Sequence, residues 1–215
     1  MLDLWNILIL SPHADDVELW MWWSVSKFIK NWHKVVSLLL TGWEYRQKEF
    51  HTSMDKLWVK KENRICWGLK DGSIHLEDKA TLVWNLDKII NEFEIDTVFI
   101  PRPSFHQDHN SSFDIWFAST RLSFDKNKKF AKNVFIYDEP TSTWNVDPFD
   151  FRFYIWLTEE EVKIKTDALL CHKSQIDKWW IYMNHDYIRS LCKTVWAENN
   201  MEFAEKFAVL RLTIK

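Results

Sequence analysis

The stretch Ile7-Leu8-Ile9-Leu10-Ser11-Pro12-His13-Ala14-Asp15-Asp16-Val17-Glu18 decides the fold that the sequence predicts. Its four leading aliphatic residues are typical of a buried strand in a parallel sheet and are too few for an ordinary helix. Across residues 17–30 the apolar side chains recur at helical intervals. The polar residues therefore stand where a strand passes into a helix, at the edge of an α/β sheet where ligands bind.

A dense group of acidic residues follows this strand. His13 is joined by the carboxylates of Asp15, Asp16 and Glu18. Carboxylates this close repel one another unless a cation or a shared proton relieves the repulsion, and a bound metal ion is the simplest relief. In a tight turn His13 and Asp16 can converge on one point, which leaves Asp15 free to carry protons. The alternative is that Asp15 or Asp16 only caps the helix by accepting backbone N–H groups.

A second polar group occupies the equivalent place on another strand. Residues 97–101 form an apolar, strand-like run, and Phe105-His106-Gln107-Asp108-His109 follows it. Residues 110–122 are predicted to be helical. Because the carboxyl ends of parallel strands meet at one edge of a sheet, we expect the two polar groups to lie close together.

Together the two groups offer a set of metal ligands. His13, Asp16 and one of His106 or His109 make three, the number that a catalytic zinc ion uses while it keeps a position open for water. Two histidines and one carboxylate are also the ligands of non-haem iron oxygenases. Those enzymes usually place the first two ligands two residues apart on a barrel strand, whereas His13 and Asp16 are three apart at a turn. The sequence favours zinc and keeps iron as an alternative.

The rest of the chain alternates apolar strands with amphipathic helices, as α/β proteins do. Strands are predicted at residues 34–40, 63–66, 134–137, 151–156 and 207–214, helices at 46–57, 77–93 and 158–171, a turn at 71–72 and a loop at 140–148. His172 is predicted to cap the end of the helix before it. We expect one domain with a Rossmann-like three-layer α/β fold, in which helices cover both faces of a mostly parallel sheet.

Charge and cysteine content limit the partners and the compartment. The chain has 28 Lys and Arg against 31 Asp and Glu, a formal net charge of −3, which does not favour nucleic acid as a partner. Three widely spaced cysteines do not suit a disulfide framework, so a reducing compartment is expected. The first apolar run is too short for a signal peptide or a membrane span. We therefore expect a cytoplasmic protein without a membrane span, and a homo-oligomer stays open.

The segments Pro12-His13-Ala14-Asp15-Asp16-Val17-Glu18 and His106-Gln107-Asp108-His109 resemble the two signature motifs, PHxDDxE and HxDH, of the LmbE-like or PIG-L-type N-acetylglucosaminyl deacetylases. The resemblance covers nearly all 215 residues, and the two motifs in this order are specific. It implies a single LmbE-like deacetylase domain over residues 1–215. Further similar segments are Thr41-Gly42-Trp43-Glu44, Arg46 with Glu49, His172-Lys173-Ser174-Gln175 and Ala204-Glu205-Lys206-Phe207.

This resemblance implies the ligands and the general base. His13, Asp16 and His109 would bind Zn²⁺, with another divalent metal such as Fe²⁺ as the alternative. Asp15 would be the general base that takes a proton from the metal-activated water. A bound zinc ion lowers the pKa of water to about 7, which gives the nucleophile that amide hydrolysis needs.

The resemblance also implies roles for the second motif and for one arginine. His106 would stabilise the oxyanion and donate a proton to the leaving amine. Asp108 would orient a neighbouring imidazole, and Arg46 would contact the substrate. Phe105 departs from relatives that carry Tyr at this position, so no phenol hydroxyl is expected there.

The implied activity is hydrolysis of the acetamide of an N-acetylglucosamine-type sugar or sugar conjugate. The expected partner is thus a small N-acetylated sugar conjugate, whose aglycone the sequence does not identify. Two alternatives from other classes stay open. One is a non-haem iron enzyme with a two-His, one-carboxylate site, and the other is a non-catalytic glycan-binding protein whose tryptophans fill the site.

The tryptophan content is unusual. The chain has 15 Trp and 3 Gly, whereas Gly is ordinarily about 7% of residues. Trp20, Trp22 and Trp23 follow the first motif, Trp43 adjoins a glycine, and Trp58 stands where a helix is expected to end with a left-handed residue. A Trp-rich carbohydrate-binding or partner surface is one explanation. Our hypothesis is that many of these residues are glycine in the biological protein, because its source organism reads UGA as glycine.

Overall fold

A single seven-stranded sheet organises the chain. The computed structural model describes residues 4–122, 128–138, 149–179, 184–197 and 200–213. The expected loop at residues 140–148 lies outside these ranges. The strands are β1 (Asn6–Ser11), β2 (Lys34–Thr41), β3 (Arg64–Leu69), β4 (Thr97–Pro101), β5 (Asn133–Tyr137), β6 (Phe153–Leu157) and β7 (Phe203–Arg211).

The strand order is β3-β2-β1-β4-β5-β7-β6. The pairs among β3, β2, β1, β4 and β5 are parallel, and β7 pairs antiparallel with both β5 and β6. From β1 the chain moves outward to β2 and β3, and it returns to β4 on the other side of β1. Neighbouring connections therefore diverge between β1 and β4, which is the switch point where open α/β sheets bind ligands.

Helices cover both faces of the sheet. They are α1 (Asp16–Trp20), α2 (Trp22–Lys30), α3 (Glu44–Lys56), α4 (Lys79–Glu92), α5 (Gln107–Ser119), α6 (Glu159–Leu169), α7 (Lys173–Trp179) and α8 (His185–Ala197). One apolar core lies between the sheet and α1, α2, α3, α6 and α8, and a second lies between the sheet and α4 and α5. The prediction of a three-layer α/β fold with a mostly parallel sheet is confirmed.

The alternation of side chains along β1 explains the two cores. Ile7 and Ile9 point into the first core, and Leu8 and Leu10 into the second. All four are fully buried, because successive residues of a strand face opposite sides of the sheet. A strand covered on both faces has to be apolar throughout, which is why the run at residues 7–10 has no polar position.

The first helix differs from its prediction. The sequence pattern predicts one helix over residues 17–30, but the structure has α1 and α2 with a break at Met21, whose φ is −143°. Met21 is fully buried. The helical period continues across the break because both helices pack on the same core, and periodicity by itself does not register such a kink.

The second motif also lies differently from its expected position. Residues 106–109 are predicted to precede a helix that starts at residue 110, whereas α5 starts at Gln107. His106 is the N-cap, and its side chain accepts a hydrogen bond from the Asp108 N–H. The motif is therefore held in the first turn of a helix rather than in a loop. Helix α8 was not predicted.

Two helices end with a tryptophan in the left-handed region of the backbone. Trp32 follows α2 with φ 67°, and Trp58 follows α3 with φ 62°. After α2 the His33 N–H donates to the Phe28 carbonyl at 3.0 Å, and the Trp32 N–H donates to the Ile29 carbonyl at 3.0 Å. This pair of bonds is a Schellman motif, in which the residue at position 32 is ordinarily glycine. Helix α3 ends in the same way at Trp58.

Among the described residues, none of the helices has both the length and the apolar composition that crossing a bilayer requires.

We predict that Trp32→Gly raises the free energy of unfolding by about 0.5–1 kcal/mol. A left-handed conformation costs an L-residue with a side chain about 1–2 kcal/mol, and part of the gain is offset by the greater freedom of glycine in the unfolded chain. Trp32 is 93% exposed, so little packing is lost. Urea unfolding followed by circular dichroism measures the difference.

Trp84→Gly is the matched control for this prediction. Trp84 is also exposed, but it lies within α4, where glycine is about 1 kcal/mol less favourable than a good helix former. The control should lose stability while Trp32→Gly gains it. Loss of stability in both variants would contradict the explanation from backbone conformation.

Candidate metal centre

The two sequence motifs meet at the switch point. The first motif is the turn between β1 and α1, and the second is the start of α5, which follows β4. The first turn is tied to the next strand, since the Thr41 N–H and hydroxyl both donate to the Pro12 carbonyl, at 3.0 and 2.7 Å. Because β1 and β4 are adjacent and parallel, both motifs emerge on the same side of the sheet.

The side chains of His13, Asp16 and His109 converge on one point. The nearest ring nitrogen of His13, Nδ1, lies 3.4 Å from Asp16 Oδ2 and 3.3 Å from His109 Nε2. His109 Nε2 lies 3.5 Å from Asp16 Oδ1. Asp16 and His109 are buried, and His13 is partly buried. The three residues form one of two His and Asp groups with metal-ligand spacing within the described ranges.

The spacing and the charges of this group suit a divalent cation. A tetrahedral ion with bonds of about 2.0–2.1 Å to nitrogen and oxygen holds its ligand atoms about 3.4 Å apart, which agrees with these separations. Burial by itself would lower the pKa of His13, but the Asp16 charge and the bonds to Asp108, Asp16 and Asp71 outweigh it and raise the pKa well above its ordinary value. The site therefore stabilises positive charge.

The pKa of Asp16 supports the same conclusion. Burial would raise it, but the charges of His109 and His13 and the bonds to both imidazoles hold it far below its usual range. The backbone N–H of His13 also donates to Asp16 Oδ2 at 2.6 Å, which fixes the carboxylate. Asp16 is thus ionised at neutral pH and oriented toward both imidazoles, as a metal ligand must be.

Asp108 orients His13 from behind. Asp108 Oδ2 lies 3.3 Å from His13 Nε2. The carboxylate of Asp108 is itself fixed by the N–H groups of Gly72 and Ile74, at 2.6 and 3.1 Å. Asp71 Oδ1 also lies 3.3 Å from His13 Nε2. A carboxylate on the far nitrogen of a ligating imidazole fixes its tautomer and direction.

His106 lies beside the three converging side chains. Its ring centroid is 4.7 Å from that of His13, in an edge-to-face arrangement. Burial and the charges of His13 and His109 lower the pKa of His106, so its imidazole is neutral at pH 7. Since its Nδ1 accepts the Asp108 N–H at 3.2 Å, the ring proton is on Nε2. His106 is therefore a neutral N–H donor.

Asp15 does not cap the helix with its side chain. It is the N-cap residue of α1, but its carboxylate makes no capping hydrogen bond. Asp15 Oδ1 instead accepts from Arg46 Nη2 at 2.5 Å. Of the two explanations for the acidic pair, helix capping by the side chain of Asp15 is wrong. Arg46, which the resemblance assigned to the substrate, pairs with this carboxylate.

His172 pairs with a buried carboxylate, whereas its position in the sequence suggested a helix cap. Its side chain is fully buried, and Nε2 lies 2.8 Å from Glu18 Oε1. Ser53 Oγ also donates to this carboxylate. The prediction of a helix cap is wrong because tertiary contact with α1 and α3 decides the side chain's environment. Burial would lower the pKa of His172, but Glu18 outweighs it and raises the pKa above its ordinary value.

Sequence reasoning missed several residues around the site. Asp71 was read only as part of a turn, and the acceptor role of Glu18 for His172 was not predicted. Glu49 and Ser174 were noted only as similar segments. For Asp71 a signal was present, because it follows the strand predicted at residues 63–66, and open α/β sheets bind ligands outside the carboxyl ends of their strands.

Trp20 lies close to the three converging side chains. Its ring centroid is 6.1 Å from that of His109, and its side chain is buried. The buried Trp20 Nε1 has no hydrogen-bond partner within the described residues. The side chains of Trp22 and Trp23 lie outside the described part of the chain.

No family model matches this chain, and no curated protein matches it. The family resemblance therefore rests on the motifs and the fold.

Solved structures with the same fold are found. The conserved protein TT1542 from Thermus thermophilus matches with a TM-score of 0.81 and 20% identity, over 100% of this chain and 97% of that one. N,N′-diacetylchitobiose deacetylase from Pyrococcus horikoshii matches with a TM-score of 0.75 and 18% identity, over 97% and 84%. The zinc-inhibited form of teicoplanin deacetylase Orf2 matches with a TM-score of 0.77 and 16% identity, over 98% and 100%.

The chain therefore has the fold of the LmbE/PIG-L-type deacetylases, as its two motifs indicated. The same fold also occurs in GalB, the 4-carboxy-2-hydroxymuconate hydratase from Pseudomonas putida, with a TM-score of 0.75 and 11% identity over 98% of each chain. At these identities the likeness establishes the fold, and the reaction has to be argued from the site.

We predict that His13→Ala and His109→Ala each abolish stoichiometric binding of a divalent metal. Each change removes one of three converging donors, and the remaining two hold an ion weakly. Metal content after dialysis, measured by inductively coupled plasma mass spectrometry, checks the result. His185→Ala, which alters an exposed histidine, should keep the wild-type content. Wild-type metal content in His13→Ala would contradict the ligand set.

We predict that His172→Ala lowers the free energy of unfolding by about 3–5 kcal/mol, because it leaves Glu18 buried without its charged partner. The folded-state pKa of His172 is raised, so the pair's contribution is complete below the ordinary pKa of about 6.5 and is lost as pH rises through the higher folded-state value. Urea unfolding of wild type and variant over pH 5–9 measures this loss of stability.

Exposed His75→Ala is the control. A loss of stability in His172→Ala that is equal at all pH values would contradict the pairing.

Proposed function

We propose that this chain, as a single domain over residues 1–215, is a metal-dependent hydrolase that removes the acetyl group from an N-acetylated sugar or sugar conjugate. The observation that carries the proposal is the convergence of His13, Asp16 and His109 beside a separate carboxylate, Asp15, at the switch point of the sheet. Three ligands and an adjacent base are what amide hydrolysis at neutral pH requires.

The three converging residues would hold the metal ion. Two imidazoles and one carboxylate suit zinc, and the same donors accept Fe²⁺ as the alternative. When bound, the ion supplies Lewis-acid chemistry, which lowers the pKa of water and polarises an amide carbonyl. Asp108, which lies on the far nitrogen of His13, would keep that imidazole in the tautomer that binds metal.

Asp15 would act as the general base. It neighbours Asp16 in sequence, and its Oδ1 accepts from Arg46, so Oδ2 would accept the proton from the attacking water. The protonated carboxyl can then deliver that proton to the leaving amine, which has to depart as a neutral molecule. Arg46 would fix the direction of the Asp15 carboxylate and balance its charge. We also propose that Arg46 contacts the substrate.

His106 would stabilise the oxyanion that forms when water adds to the amide carbonyl. Its imidazole is neutral, and its proton is on Nε2 because Nδ1 accepts the Asp108 N–H. A fixed N–H donor beside the reacting carbonyl stabilises developing negative charge. His106 would therefore act as a hydrogen-bond donor to the oxyanion, and Asp15 would carry the proton to the amine.

The substrate class is supported by the neighbours of the same fold. Two of them are named as deacetylases of diacetylchitobiose and of teicoplanin, and chitobiose is a disaccharide of an amino sugar. A hydratase shares the fold, which makes hydration of a carbon–carbon double bond the reaction that the test has to separate. An iron-dependent oxygenase and a non-catalytic glycan-binding protein are separated by the same experiment.

We predict that the zinc-loaded protein releases acetate from at least one N-acetylhexosamine conjugate and that Asp15→Asn lowers kcat at least about 100-fold with unchanged metal content. The amide of Asn accepts no proton at neutral pH. Free acetate and free amine are assayed across a panel of monosaccharide, lipid-linked, nucleotide-linked and inositol-linked substrates.

Asp114→Asn, which alters an exposed carboxylate on α5, should keep wild-type turnover. Unimpaired hydrolysis by Asp15→Asn would contradict the base assignment. A wild-type protein that is zinc-loaded but releases no acetate across the panel would contradict the deacetylase proposal, and oxygen consumption by an iron-loaded protein would favour the oxygenase.

A further inference from the structure

We propose that Glu49 and Ser174 are positioning residues that hold Arg46 against Asp15 and so fix the direction of the general base. The inference rests on the proposed function and adds two residues to it. Neither residue touches the converging ligand atoms, so both would act through Arg46.

The guanidinium of Arg46 donates hydrogen bonds to three partners. Nη2 donates to Asp15 Oδ1 at 2.5 Å, and Nη1 donates to Glu49 Oε2 and to Ser174 Oγ, each at 3.4 Å. Arg46 is buried. Arg is rarely buried without paired acceptors, and these three bonds supply them. With Nη1 engaged on one side, the planar guanidinium presents Nη2 to Asp15 in one direction.

The acceptor side of this pair is itself anchored. Glu49 Oε1 accepts from the Ser174 N–H at 2.8 Å, and Glu49 Oε2 accepts from the Ser174 hydroxyl at 2.7 Å. Both bonds join α3 to the start of α7, which lies 125 residues away in the chain. The carboxylate of Glu49 therefore has its position set from outside α3, and Arg46 one turn earlier on the same face follows it.

The segment that carries Ser174 is fixed in turn. His172, two residues before Ser174, is buried and paired with Glu18 of α1 at 2.8 Å. Helix α1 also begins directly after Asp15. The start of α7 thus contacts α1 through His172 and α3 through Ser174, so the two elements that carry Asp15 and Arg46 are held to one common segment.

The need for such support follows from the surroundings of Asp15. Its carboxylate makes no helix-capping bond, and its neighbour Asp16 faces the imidazoles. Arg46 is thus the partner that sets its direction among the contacts described above. Reacting groups have to be held to within about 0.5 Å and 10–20°, and loss of a supporting residue typically costs 10- to 100-fold in activity.

Glu49→Ala tests the proposal, with Glu44→Ala as the matched control. Both residues are glutamates of α3, but Glu44 is exposed and pairs with Lys48. We expect kcat for acetate release to fall about 10- to 100-fold in Glu49→Ala, with metal content near the wild-type value. Glu49→Gln, which keeps one of the two acceptor oxygens for Ser174, should restore part of the loss. Ser174→Ala should lower kcat in the same direction.

Two outcomes overturn the proposal. One is wild-type kcat in both Glu49→Ala and Ser174→Ala, and the other is a loss confined to KM, which would assign Glu49 to substrate binding. A crystal structure of Glu49→Ala gives a readout that does not depend on activity: we expect Arg46 Nη2 to leave hydrogen-bonding distance of Asp15. An unchanged contact overturns the inference even if no substrate is turned over. Lack of wild-type turnover alone would count against the proposed function.

A separate observation carries a second inference, which concerns the identity of two residues. We infer that the natural protein has glycine at positions 32 and 58. Both positions have positive φ and both close a Schellman motif, where glycine is the usual residue. The chain has Trp at both, in a sequence with 15 Trp and 3 Gly. Reading of UGA as glycine in the source organism accounts for both facts.

The burial of other indoles agrees with this inference. Trp20 and Trp116 are buried, and the Nε1 of each has no hydrogen-bond partner within the described residues. A buried indole N–H usually finds an acceptor. Peptide mass spectrometry of the protein purified from its native source tests the inference, and the peptide that contains Gly42 is the internal control. We expect glycine at positions 32 and 58, and Trp at both would overturn it.

Discussion

The attraction between a carboxylate-rich cluster and positive charge underlies the whole arrangement. Asp16 and Asp108 are buried beside His13, where carboxylates would repel one another without a cation between or beside them. The parallel pairing of β1 with β4 makes the cluster, since it puts the first motif next to His109, which is almost one hundred positions later in the chain.

Support for the site comes from elements distant in sequence. The turn at Gly72 holds Asp108 from one side, and α3 supplies Arg46 to Asp15 from the other. The start of α7 closes the arrangement through His172 and Ser174. Each contact fixes the direction of a group that is charged or donates a hydrogen bond. The proposed hydrolytic site requires such support, because its water and amide have to be aligned.

Local sequence was sufficient for the two strands that precede the motifs. The strand β4 has the predicted bounds, and the apolar run at residues 7–10 lies within β1, because strands buried on both faces are apolar throughout. The contacts of Arg46 and His172 could not be predicted from the sequence. They depend on side-chain directions set by packing between α1, α3 and α7, which periodicity does not encode. The kink at Met21 was missed for the same reason.

The central claim is that His13, Asp16 and His109 hold one divalent ion. X-ray diffraction at the zinc absorption edge, from crystals of the zinc-loaded protein, tests it most directly. The account predicts one anomalous peak at about 2.0–2.2 Å from an imidazole nitrogen of His13, a carboxylate oxygen of Asp16 and an imidazole nitrogen of His109. A peak that lies away from these three side chains, or the lack of any peak between them in fully loaded crystals, would contradict it.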